Sequence, residues 1–138
     1  MPHGATISIR VLFIALLSVS AVGKLLDMPG FYEVVDSYQV LPPTIIPALA
    51  WALALTELGM AVWLATGRAP IPAAMGVVML HIVYFFWLLG ALARGLKLGN
   101  CGCFGVFFAR PLTAQSLGED LLLLALAVAL LSGSIRKS

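Results

Sequence analysis

The chain of 138 residues carries eight Lys/Arg and six Asp/Glu, so 10% of its side chains are charged while 62% are hydrophobic, and its mean hydropathy is +1.06. A soluble domain averages about 25% charged residues, and this chain has too few polar groups to cover a water-facing surface. A water-soluble monomer is excluded, as are a disordered chain, by the apolar content, and a nucleic-acid binder, because the net charge of +2 comes from scattered residues without a basic stripe. What remains is an integral membrane protein whose first partner is the lipid bilayer.

A helix needs about 20 mostly apolar residues to cross the hydrocarbon, and four segments qualify, at about 6–26, 44–66, 70–93 and 117–134. These runs lack the alternation of a barrel strand, so the predicted fold is all-α: one transmembrane domain over 1–138, built as a four-helix bundle. In the first segment Arg10, the run Val11–Val19 and Ser20-Ala21 also fit a cleavable secretory signal. Against that, cleavage would leave three spans, and Gly23-Lys24-Leu25-Leu26 continues as helix; Lys24 is expected to snorkel to the outer headgroups, with pairing to Glu57 as the alternative.

The connection 27–43 spaces Phe31, Val34, Val35 and Tyr38 by three and four with polar residues between, which predicts a short amphipathic helix at the interface. Pro42-Pro43 and Pro47 mark the start of the second span, and Pro70 and Pro72 that of the third. Ser116-Leu117-Gly118-Glu119 reads as the capping box of the fourth, with Glu119 and Asp120 complementing the helix dipole at the headgroup level and no further function assigned to them.

Orientation rests on Lys and Arg. One side would hold Arg10, Arg68, Arg136 and Lys137, the other Lys24, Arg94, Lys97 and Arg110, a tie that the positive-free stretch from Leu25 to Gly67 breaks. Both termini are therefore expected in the cytoplasm, with loops 27–43 and 94–116 facing outward, into an oxidising compartment in a bacterial envelope.

Both cysteines fall in that second loop, in Cys101-Gly102-Cys103-Phe104-Gly105. Residues i and i+2 of an extended chain lie about 6.6 Å apart, near the upper limit for a disulfide, and a bend at Gly102 would close the gap. A small strained ring exchanges readily, and Arg94, Lys97 and Arg110 would favour the attacking thiolate. A reversible dithiol is the sharper reading. Two small residues in a tight glycine loop, or a soft-metal site, stand beside it; a tetrahedral metal needs more ligands than one chain supplies here, so no metal site is assigned.

Cys-Gly-Cys-Phe-Gly after a third span, followed by Pro111-Leu112 and a Leu-rich fourth span, resembles the methylamine utilisation protein MauE family within the wider DoxX-like group of four-helix membrane proteins. Gly23-Lys24-Leu25, the loop from Gly30-Phe31 to Leu41-Pro42, and Glu57 fit the same pattern, so the resemblance covers nearly the whole chain. It implies a redox-linked component of the bacterial cytoplasmic membrane that supports maturation of a disulfide-rich enzyme subunit, that of methylamine dehydrogenase in the named family. The implied partners are a thioredoxin-like envelope protein and another redox membrane protein.

Within the spans, Glu57 lies about 13 residues from the outer end of the second helix and His81 about 12 from that of the third, placing both roughly 18–20 Å deep at about 1.5 Å per residue. They can meet, and an ionisable pair at that depth is a functional candidate, with an interhelical hydrogen bond as the plainer reading. Tyr84, one turn outward, would extend such a path toward the cysteines or simply pack. No cofactor is fixed by the residues; a quinone is the candidate, since the chain has no second cysteine pair to relay electrons across the membrane. The sequence thus reads as a candidate membrane thiol-disulfide oxidoreductase acting through Cys101 and Cys103. A non-catalytic assembly factor and a small metal or solute transporter subunit are the rival readings.

Overall fold

The computed structural model describes residues 3–102 and 111–137, and Cys103 and Arg110 lie outside the described residues. Five helices follow one another: α1 (His3–Leu25), α2 (Met28–Asp36), α3 (Ile46–Thr66), α4 (Pro70–Ala93) and α5 (Ala114–Lys137). All but α2 are long and apolar enough to cross a bilayer. No more than a third of each span's most apolar stretch is buried inside the protein, leaving Leu55, Val62, Met79, Val83, Phe86 and Leu122 exposed for lipid.

The spans form a ring in which α1 packs on α3 and α5, and α4 on α5 and α3. Lipid tails are as apolar as leucine, so helices in a membrane associate by close approach over small residues. Ala21, Ala50, Ala54, Ala61, Ala73, Ala74, Ala91 and Ala127 are accordingly buried. Phe13 of α1 reaches across the ring to α4, where its ring meets His81 edge-on at 5.3 Å. From there toward the α3–α4 turn Met60, Leu64, Val77 and Leu130 pack around Phe13, with Leu17 on its other side, and Thr6 and Ser134 are buried nearer the turn. Gly67 closes α3 in the left-handed conformation, at φ +69°.

The short helix α2 starts where the Asp27 carboxylate accepts the Gly30 amide at 3.0 Å. Its apolar face packs on the outer half of α3, Met28, Phe31 and Val35 against Ile46, Ala50 and Ala54. This placement follows from where α1 stops. Lys24, next to last in α1, is level with Glu57, midway along α3, so α2 lines the half of α3 that α1 does not reach.

Two expectations need correction. Lys24 does not snorkel to the headgroups: it is 1% exposed and ion-paired with Glu57, because α1 ends at the depth of Glu57 rather than at the membrane surface. The capping box at Ser116–Glu119 is one turn too late. Thr113 caps α5 by accepting the Ser116 amide at 3.3 Å, while the Ser116 hydroxyl donates to the Pro111 carbonyl at 2.6 Å. Asp120 therefore falls in the second turn and faces inward, 8% exposed, instead of standing at the headgroups.

Candidate functional site around Cys101

Cys101 sits beneath a lid made by α2 and the residues that follow it. The Tyr38 hydroxyl donates to the Cys101 carbonyl, and the Arg94 guanidinium donates to the Tyr38 carbonyl at 2.8 Å. Arg94 thus acts on the cysteine loop through the tyrosine that anchors it. The loop is further held by the Leu112 amide on the Leu98 carbonyl at 2.9 Å and by the Asn100 side chain, which accepts the Gly102 amide at 2.9 Å. Gly102 does bend, at φ +83°, and a Cβ there would lie 2.7 Å from Val34 Cγ1 and 3.3 Å from Phe31 Cε1. Only glycine combines that dihedral with so close an approach of α2.

Held in this way, Cys101 is buried among Tyr38, Leu88, Ala91 and Leu112 and borders two cavities. The larger, about 210 Å³, is apolar, walled by Phe31, Leu53, Tyr84 and Trp87, with the exposed Leu49 and Val83 on the side turned to lipid. The smaller, about 80 Å³, opens between α1, α4 and α5 and is bordered by Glu57, His81, Tyr84, Asp120 and Cys101. Tyr84 and Leu88 belong to both walls.

The deep polar residues are joined differently from the sequence expectation. Glu57 and His81 border the same cavity, yet the Glu57 carboxylate takes the Lys24 ammonium, which also donates to Ser20 Oγ at 2.7 Å. That ammonium lies 5.5 Å from the centre of the Phe31 ring and 5.9 Å from that of Tyr84, so two aromatic faces share its charge. His81 donates from Nδ1 to the Val77 carbonyl at 2.9 Å, a tautomer that makes Nε2 an acceptor. Its ring stacks edge-on between Phe13 and Tyr84.

Of the residues singled out from sequence, the structure brings Cys101, Glu57, His81 and Tyr84 to one cavity, and Cys103 lies outside the described residues. Sequence reasoning gave Tyr38 and Asp120 no role in the site, and took snorkelling for Lys24 over its pairing with Glu57. Tyr38 carried a signal, the last apolar position of the α2 stripe; Asp120 was hidden by the misplaced helix start.

Residues 3–133 match the family described as methylamine utilisation protein MauE. The methylamine utilization protein MauE of Paracoccus denitrificans is 33% identical over 123 residues, covering 88% of this chain and 66% of its own length. That of Methylophilus methylotrophus is 32% identical over 119 residues, covering 86% of this chain and 60% of its own. The chain thus spans two thirds or less of the length of these relatives. No solved structure matches it. A match over nearly every residue, joined to four apolar spans and a short lid helix, makes the chain a member of the MauE family, among the DoxX-like multi-pass proteins of the bacterial inner membrane.

Proposed function

We propose that this protein carries out thiol-disulfide exchange through Cys101 and Cys103 with a thioredoxin-like protein on the outer face of the membrane. The relatives are named for methylamine utilisation, and maturation of a disulfide-rich envelope enzyme is the setting we assign. The observation that carries the reading is the position of Cys101: a buried cysteine in an anchored glycine loop, between an apolar cavity on the lipid side and a second one bordered by Glu57, His81 and Asp120. Exchange passes through a mixed disulfide. As the pair closes, each cysteine gives up a hydrogen, the partner's disulfide opens, and the partner gains the two electrons and two protons.

The apolar cavity fits the ring of a membrane quinone by its aromatic walls and lipid-side rim, with Lys24 and Tyr84 as the polar groups on its wall. When the pair reduces its partner in this way, a quinol bound there would restore the dithiol with two electrons and two protons; run in reverse, with the partner's dithiol as the donor, a quinone would accept them. Glu57 and His81 border the other cavity and would act on the ring only through Lys24 and Tyr84.

Redox titration of the purified protein in nanodiscs tests the proposal. A reversible two-electron couple is expected, with Cys101→Ser and Cys103→Ser each abolishing it and one of them trapping a mixed disulfide with the thioredoxin-like partner. Full maturation activity in either variant would overturn the exchange reading and leave the assembly-factor role.

A further inference from the structure

Asp120 is the one acid in the second cavity whose buried oxygen is left over. It is 8% exposed, and its Oδ2 has no hydrogen-bond partner among the described residues. A carboxyl oxygen in such a place is relieved by water or by a proton. The cavity it borders, about 80 Å³, has room for water, since one molecule takes about 30 Å³ of liquid volume. Cys101 and His81 border the same cavity, and His81 Nε2 can accept a hydrogen bond from the same water.

We infer that Asp120 exchanges a proton with the Cys101 sulfur through water held in this cavity, an inference that rests on the redox reading of Cys101. When the Cys101–Cys103 bond opens with Cys101 as the leaving sulfur, the sulfur takes the Asp120 proton and becomes a thiol. The carboxylate left behind recovers its proton from solvent, and the attacking dithiol ends as a disulfide. In the reverse direction Asp120 takes the proton as Cys101 attacks. The other ionisable groups around the cavity are Lys24 from α1 and Glu57 from α3, bonded to each other, His81 and Tyr84 from α4, and Glu119 from α5 itself. Each is unchanged in the comparisons below.

Two measurements on the full chain in nanodiscs test the inference. In the Cys103→Ser protein, the rate of Cys101 alkylation by iodoacetamide is followed from pH 5 to 10. Linked groups titrate in two steps, so a two-step profile is expected, collapsing to one step when Asp120→Asn is added and unaltered by the exposed Glu33→Gln. A profile that Asp120→Asn leaves unchanged overturns the linkage. In the protein with both cysteines oxidised, reduction by dithiothreitol is expected to slow about tenfold or more in Asp120→Asn, the scale of a lost proton donor. The opposite sign, faster reduction, would mean that Asp120 acts only as a negative charge beside the sulfur, and would overturn the donor role. Asp120→Ser replaces Asn in both arms if the amide variant fails to insert. A pair that dithiothreitol cannot reduce and oxidant cannot reform defeats the redox reading alone, because the alkylation profile still reads the Asp120 linkage.

Discussion

Removing one charge from the Lys24–Glu57 pair should harm the protein more than removing both. Lys24→Met leaves a carboxylate that is 1% exposed without its partner, and a loss of about 3–5 kcal/mol is expected. The double variant Lys24→Met/Glu57→Leu, with no buried charge left, should recover most of that, which unfolding titrations in mixed micelles of all four proteins would measure as a coupling energy. A loss in the double variant equal to the sum of the two single losses would mean that the two charges do not interact. Glu57 was visible in the sequence as an acid too deep to be solvated. Its partner was misjudged because depth counted along each span assumes that every span reaches the surface, and α1 does not.

At the scale of elements, Gly102 and α2 hold each other. Gly102→Ala adds a methyl group where Val34 and Phe31 already stand, on a backbone at φ +83°, so the lid helix has to lift. Cys101 should then react with a water-soluble maleimide at least tenfold faster than in the native chain, and Val34→Ala on the same background should restore only part of the protection, because the dihedral cost stays. An unchanged rate would show that α2 does not cover the sulfur. A second pair of variants separates the two capping registers of α5. Thr113→Ala should cost about 1 kcal/mol, whereas Glu119→Ala, the residue that a Ser116 capping box would need, should cost little. Both Thr113-Ala114-Gln115-Ser116 and Ser116-Leu117-Gly118-Glu119 have a hydroxyl followed by a polar side chain three residues on, and the second is the better local match. The chain turns helical earlier, with the Ser116 amide already on Thr113 Oγ1 and its hydroxyl tied back to the Pro111 carbonyl. That shift of one turn is what carries Asp120 from the membrane surface into the interior.

For the whole molecule, the number of spans was legible from apolar length alone, and α3 and α4 begin and end within two residues of the expected bounds. The order of helices around the ring was not, because small residues on many faces allow several neighbours. The proposed orientation, with the cysteine loop outside, is checked by labelling intact cells with a membrane-impermeant maleimide after reduction. Modification of Cys101 or Cys103 is expected, and labelling only after lysis would reverse the topology. Phe13, crossing from α1 to touch His81, has a last consequence for traffic through the protein. Beneath it Met60, Leu64, Val77 and Leu130 pack as a hydrocarbon stopper, so the chamber beside Cys101 is a cul-de-sac rather than a corridor. Whatever enters from one face of the membrane must depart by that face or sideways into lipid, and a Phe13→Ala protein that leaked protons in liposomes where the native one is tight would show the stopper at work.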